Sequence, residues 1–217
     1  MMKTTVRFAL LPAVAVVLAA CTAAPSPADY DKMAADVAKA SFQAKGIAKL
    51  DRLVQDDANR ECAAANVAGQ PIDEKVAKAI EAAEMKTVKW PSDGKFLGDW
   101  KSGEKIAQSG KGMTWRDKAG DVNGGNCYNC HQITKAELSF GTIGPSLYNY
   151  GKMRGVTDPN AAASKAIVEY TWGKMWNSRA YNACSEMPRV GHKGILNEQQ
   201  IKDVMALLLD PKSPVNQ

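Results

Sequence analysis

Residues 124–133 read GGNCYNCHQI, which puts Cys127, Cys130 and His131 within five positions. Two thiols three apart, followed at once by an imidazole, suit three chemistries: a redox disulfide, half of a zinc site, or covalent attachment of haem. A thioredoxin-like pair sits where a strand turns into a helix, yet Cys127 is preceded by the turn-rich DVNGGN and no Val/Ile-rich run. Zinc needs four ligands. Outside the motif the chain offers only His192, Cys184 and Cys62 as imidazole or soft donors, with no second C-x-x-C or H-x-x-H. Haem asks only for what is present. Two thiolates add to its two vinyl groups, and His131 in the next position supplies an axial nitrogen. One covalently attached haem c is therefore expected on Cys127, Cys130 and His131.

The compartment agrees. The chain opens MMKTTVRFALLPAVAVVLAAC, with Lys3 and Arg7 ahead of an apolar run of about thirteen residues, Phe8 to Ala20. That is shorter than the roughly 20 a spanning helix needs and has the basic start of a secretory signal. Residues 1–20 are read as a signal peptide, and the mature protein as exported to the periplasm. Leu18-Ala19-Ala20-Cys21 also fits a lipobox, in which Cys21 is acylated and tethers the protein to the membrane; plain cleavage after Ala20 or Ala24 is the alternative. Loss of Lys3 and Arg7 with the leader lowers the formal charge from +5 to +3. The basic residues are interspersed with acids, so nucleic acid is not an expected partner.

With Cys21 in the export region and two cysteines in the motif, Cys62 and Cys184 remain. An oxidising compartment favours joining them; a reactive thiol or a soft iron ligand is the alternative. Haem iron then needs a sixth ligand or an open face, and Met paired with His is a common set that raises the potential. Met33, Met85, Met175 and Met205 are read as packing residues. Met187 differs: it stands in the loop CSEMPRVGHKG, where Pro188 forces it into an extended conformation and presents its thioether outside any helix. Met187 is the favoured axial ligand, with Met153, His192 and Met113 kept as alternatives.

Residues 21–29 read as a proline and small-residue linker, and 30–94 as a helical N-terminal extension. Within it, apolar positions recur near 3.6 from Tyr30 to Leu53, a helix or two broken near Gly46, and again from Ile72 to Met85. The haem domain is placed at 95–217, with a short helix at 103–109, loops at 110–126 and 140–147, and two later helices. One is expected to start at Asp158-Pro159, Asp as cap and Pro in the first turn. The other opens on the capping box Asn197–Gln200 and is stopped by Pro211. The sum is all-α with long loops.

CYNCH, then IGPSL with Gly144-Pro145, then MPR, then a capped terminal helix follow the order of class I cytochromes c, which this half of the chain resembles. That resemblance implies a Pro145 carbonyl bonded to the second ring nitrogen of His131, fixing its tautomer. Three longer stretches (KWPSDGKFLGDWKSGEKIAQSGKG, GGNCYNCHQITKAELSFGTIGPSLYNYGKMRG and NACSEMPRVGHKGILNEQQIKDVMALLLDPKSPV) are similar to the X subunits of the bacterial sulfur-oxidising Sox cytochrome complex, over roughly residues 56–217. The likeness implies a heterodimer with the Sox A subunit that acts as an L-cysteine S-thiosulfotransferase. Thiosulfate would be coupled oxidatively to a cysteine of the Sox carrier protein, with the sulfur chemistry on the A subunit. The haem of this chain would relay electrons to a small cytochrome c. A free periplasmic electron carrier uses the same ligands and is the alternative; an open-faced peroxidase is a third, weaker reading.

Tyr128, Tyr148, Tyr150, Trp172 and Trp176 are expected to wall the haem and keep water out. Lys152, Arg154 and Arg189 are read as solvated surface, with an acidic cytochrome or a propionate as the functional alternative.

Overall fold

The structure is a computed structural model and describes residues 26–217. The signal peptide, Cys21 with its acylation, and the start of the linker lie outside the described residues. Seven α-helices and no β-strand are found among the residues described, so the all-α expectation holds.

Two units divide at Phe42/Gln43. The first contains α1 (Pro27–Ser41), closed at its start by a capping box between Ser26 and Asp29 with Pro27 in the first turn. The expected linker thus ends at Ser26, because Ser-Pro-Ala-Asp is helix-start chemistry rather than spacer. None of α1's residues is buried.

In the second unit the helix expected to continue to Leu53 is absent. Gly46, at φ +54°, turns the chain, and a Cβ there would fall 2.5 Å from the Trp115 carbonyl oxygen. Only a 3₁₀ turn at Leu50–Leu53 follows. Next come α2 (Asp57–Val67), capped by Asp56, and α3 (Glu74–Met85), capped by Asp73. Residues 43–94 belong to the same compact unit as the C-x-x-C-H motif, the division falling at 42/43. The reason is a set of long-range polar ties. Trp172 donates its indole N–H to the Lys89 carbonyl at 2.8 Å, and Trp176 donates to the Thr87 carbonyl at 3.1 Å. Asn177, fully buried, donates to the Glu84 carboxylate at 2.6 Å.

The remaining helices are α4 (Trp100–Gln108), α5 (Tyr150–Met153), α6 (Lys165–Trp176) and α7 (Glu198–Leu209). The capping box expected at Asn197–Gln200 is present, with Gln200 N donating to Asn197 Oδ1 at 2.9 Å and Asn197 N to Gln200 Oε1 at 3.1 Å. Because α4, α5, α6 and the C-terminal 3₁₀ turn all pack on α7, it is buried nearly all round: Ile201, Met205, Leu207 and Leu209 expose nothing. The α4–α7 crossing is close at Gly103, where a Cβ would lie 2.1 Å from the Asp203 carbonyl oxygen; only hydrogen fits. Asp158-Pro159 does not start a helix. The Asp158 side chain accepts from Asn160 N and its carbonyl from Ser164 Oγ, closing a turn, and α6 begins at Lys165 after a 3₁₀ segment. No helix among the described residues is long and apolar enough to cross a membrane.

One ionic cluster dominates this unit. Asp56 meets Arg189 at 2.5 Å and Arg179 at 3.2 Å, and Arg189 also meets Glu84 at 3.2 Å. Burial pushes the Asp56 carboxyl up, but the hydrogen bonds from Arg189 and Asn59 N–H and the two arginine charges outweigh it and hold its pKa at about 2. A folded pKa below the unfolded value stabilises at pH above about 4 and is lost as pH falls from about 4 through about 2. With the carboxylate a third exposed, about 1 to 2 kcal/mol is expected after screening. Acid titrations of stability should therefore differ between the wild type and Asp56→Asn in slope over that window and be parallel above it. Equal slopes from pH 4 down to 2 would contradict the assignment.

Candidate functional site

The C-x-x-C-H segment is held from both sides by backbone bonds. Ahead of it, Gly125 N donates to the Ile106 carbonyl at 2.8 Å and Asn126 N to the Ser109 carbonyl at 2.9 Å, docking the motif on the end of α4. Asn126 takes the left-handed conformation, φ 51°, and aims the chain into a 3₁₀ turn at Cys127–Asn129. Asn suits that region better than most residues with a side chain. Cys130 N and His131 N both donate to the Cys127 carbonyl, at 3.1 and 3.0 Å, so the two thiols and the imidazole are presented from one tight turn.

After the motif, residues 141–147 run alongside it in the same direction: Gly141 N donates to Tyr128 O, Gly144 N to Cys130 O, and Leu147 N to Gln132 O. This brings the Pro145 carbonyl 2.7 Å from His131 Nδ1. A carbonyl can only accept, so Nδ1 carries the proton and the Nε2 lone pair is free for a metal. Gly144 passes against the imidazole so closely that a Cβ would lie 2.2 Å from Cε1. The ring is thus fixed in tautomer and in plane.

Cys127, Cys130 and His131 line a cavity of about 470 Å³. Met187 lines it too, from the loop before α7, with its carbonyl accepting from Ser178 Oγ at 2.6 Å and its N–H donating to Ser185 Oγ at 3.3 Å. Of the alternatives, Met153 is 77 % exposed, and neither it, His192 nor Met113 reaches this lining. Met175 does, as a buried residue of α6, so two thioethers face the cavity. Met205 is core, as read from sequence, whereas Met33 and Met85 are exposed.

The donor set fits haem c. Both cysteines are free thiols, and burial pushes the Cys127 thiol up to about 11, the opposite of the stabilised thiolate that a redox pair needs. No three His, Cys, Asp or Glu side chains converge on one point among the described residues, which leaves zinc without a ligand set. The walls are apolar, from Ile143, Leu147, Tyr150, Val190 and Leu208. Arg154 and Lys174 also line the cavity, bonded only to the carbonyls of Tyr150 and Ser178, and neither meets a carboxylate among the described residues. Glu186 is the one carboxylate in the lining, and two cations that form no ion pair suit a planar apolar group with an anionic margin.

The aromatic expectation is corrected in part. Tyr150 walls the cavity, joined by Tyr170, which sequence reading passed over. Trp172 and Trp176 instead stack 5.9 Å apart and bond the chain at Lys89 and Thr87. Tyr128 is buried behind the motif, its hydroxyl shared between Glu104 at 2.9 Å and Thr134 at 3.1 Å, and Tyr148 bonds the Gln217 carbonyl. Arg189, read as surface, is buried in its ion pairs. Cys62 and Cys184 form a disulfide, and Cys184 itself lines the cavity.

Comparison with known proteins agrees with this geometry. The family model described as Cytochrome c matches residues 102–211. An uncharacterized lipoprotein of Aquifex aeolicus (strain VF5) is 34 % identical over 224 residues, covering 99 % of this chain and 100 % of the relative.

Proposed function

Because the chain belongs to the cytochrome c family, a haem electron-transfer protein with covalently attached haem c, we propose that it is the X-type subunit of a periplasmic thiosulfate-oxidising complex. The observation that carries the electron-transfer reading is one cavity lined by Cys127, Cys130, the tautomer-fixed His131 and the Met187 thioether. Haem bound there supplies a centre that takes up and gives back one electron at a time. The protein's part is to attach it through Cys127 and Cys130, orient His131 through Pro145, offer Met187, and exclude water with Leu147, Tyr150 and Leu208. The finer reading is supported by the long Sox-like stretches at 89–112, 124–155 and 182–215.

In that role the A-type partner would join a carrier-protein cysteine thiol to thiosulfate. An S–S bond forms, one proton leaves the thiol, and two electrons are released. They pass singly through this chain to a small cytochrome c. Full-length sequence coverage by a lipoprotein and the Leu-Ala-Ala-Cys21 box support a protein tethered at the outer face of a membrane.

The test is to co-express the chain with a candidate A subunit and follow thiosulfate-dependent reduction of its haem in the presence of the carrier protein. Reduction that needs both partners is expected. Reduction without the A subunit would overturn the division of labour, and a chain that purifies alone and ignores thiosulfate in every mixture would be a free electron carrier.

A further inference from the structure

Resting on the reading of Met187 as an axial ligand, we propose that residues 56–89, which precede the stretch matching the cytochrome c family, are a brace that positions the 181–190 loop and holds the Met187 thioether in the cavity. The loop contains no helix and so has no repeating backbone bonds to fix its course. What fixes it is α2 and α3. Three residues before Met187, Cys184 is bonded covalently to Cys62 on α2. Two residues after it, Arg189 is held by Asp56, the N-cap of α2, at 2.5 Å and by Glu84 on α3 at 3.2 Å.

The base on which the loop stands is tied to the same helices. Arg179 meets Asp56 at 3.2 Å, and Asn177 donates to the Glu84 carboxylate at 2.6 Å and to Thr87 Oγ1 at 2.8 Å. Withdrawal of the thioether requires the 184–189 segment to move, yet one end is bonded covalently to α2 through Cys62 and the other is held by Asp56 at the start of α2 and by Glu84 on α3. Arg189 cannot leave without baring Glu84, whose side chain is only 14 % exposed. Leaving a buried ion without its partner is strongly unfavourable. Cys62, Cys184, Asp56, Glu84 and Arg189 are therefore positioning residues: none is a ligand, and together they keep the open-loop population small.

The test is made on the oxidised holoprotein. Added imidazole competes with the thioether and binds only when the loop is open, so its apparent dissociation constant is the intrinsic value divided by the open fraction. Loss of the far-red sulfur-to-iron absorption band reports the displacement. Cys62→Ser/Cys184→Ser is expected to bind imidazole about tenfold more tightly than the wild type, as a tenfold rise in the open fraction requires. Glu84→Gln keeps the disulfide and the Asp56 pair and is expected to bind severalfold more tightly, which decides the matter should the double variant fail to fold. Ser213→Ala removes a buried hydrogen bond to the Leu207 carbonyl outside the loop and serves as a control for general destabilisation. Imidazole affinity unchanged in Glu84→Gln, or raised as much by Ser213→Ala, would overturn the brace. A wild type lacking the far-red band before any imidazole is added would instead strike the assignment of Met187.

Discussion

Cys62→Ser/Cys184→Ser should unfold about 4 to 5 kcal/mol more easily than the wild type, the chain-entropy value for opening a loop of this length. The bridge closes a segment with a sequence separation of 122 residues and is the only cross-link from α2 to the C-terminal loop that survives in the unfolded chain. Haem attached at Cys127 and Cys130 would not replace it, because that closure spans four residues inside the larger loop. In urea, at a slope of about 2 to 3 kcal/mol/M, the midpoint should fall by about 1.5 to 2 M. A shift below about 0.4 M, equivalent to less than about 1 kcal/mol, would mean that the unfolded ensemble already holds α2 near residue 184. The double variant is preferable to either single one, since a lone thiol in an oxidising solution can exchange into new pairings.

The parts of this protein that could be read from sequence are those written in short-range chemistry. C-x-x-C-H, Gly144-Pro145, Met187-Pro188 and Asn197–Gln200 each act over a few residues, and the structure brings the first three to one cavity and makes the fourth a helix start. Asp158-Pro159 has the same local signature as a helix start, but the Asp side chain is satisfied within its own turn at Asn160, and the helix waits until Lys165. No hydrophobic stripe marks α2, whose apolar positions are alanines apart from Cys62 and the exposed Val67, with Ala58 alone buried.

The 42/43 boundary was invisible for a different reason. It depends on partners 83 to 133 residues apart, such as Trp172 with Lys89 and Arg189 with Asp56, which no local period encodes. Likewise an indole on a helix is apolar on every list of propensities; only the observed bonds show that Trp172 and Trp176 turn toward the Thr87–Lys89 segment rather than into the cavity. Their placement changes what the N-terminal helices mean. Helices α2 and α3 belong to the same unit as the site.

Met187→Leu carries the largest expected effect on function. Leucine keeps the volume and apolar character of the side chain, so the loop, its Ser178 and Ser185 bonds and the disulfide should survive, and only the sulfur is lost. The oxidised protein should lose its far-red charge-transfer band, and the reduction potential should fall by about 0.1 V or more of the roughly 0.8 V that axial ligands command. The sign follows from chemistry: a thioether is a soft, weakly donating ligand that favours ferrous over ferric iron, and its removal takes that preference away. Met175 makes the comparison sharp, since it also faces the cavity but does so from inside α6, 6 % exposed and packed in the core. Met175→Leu should keep both the band and the potential. If the two variants behave the other way round, the sixth ligand comes from the helix; the brace on the 181–190 loop would then hold a wall of the cavity and not the iron's partner.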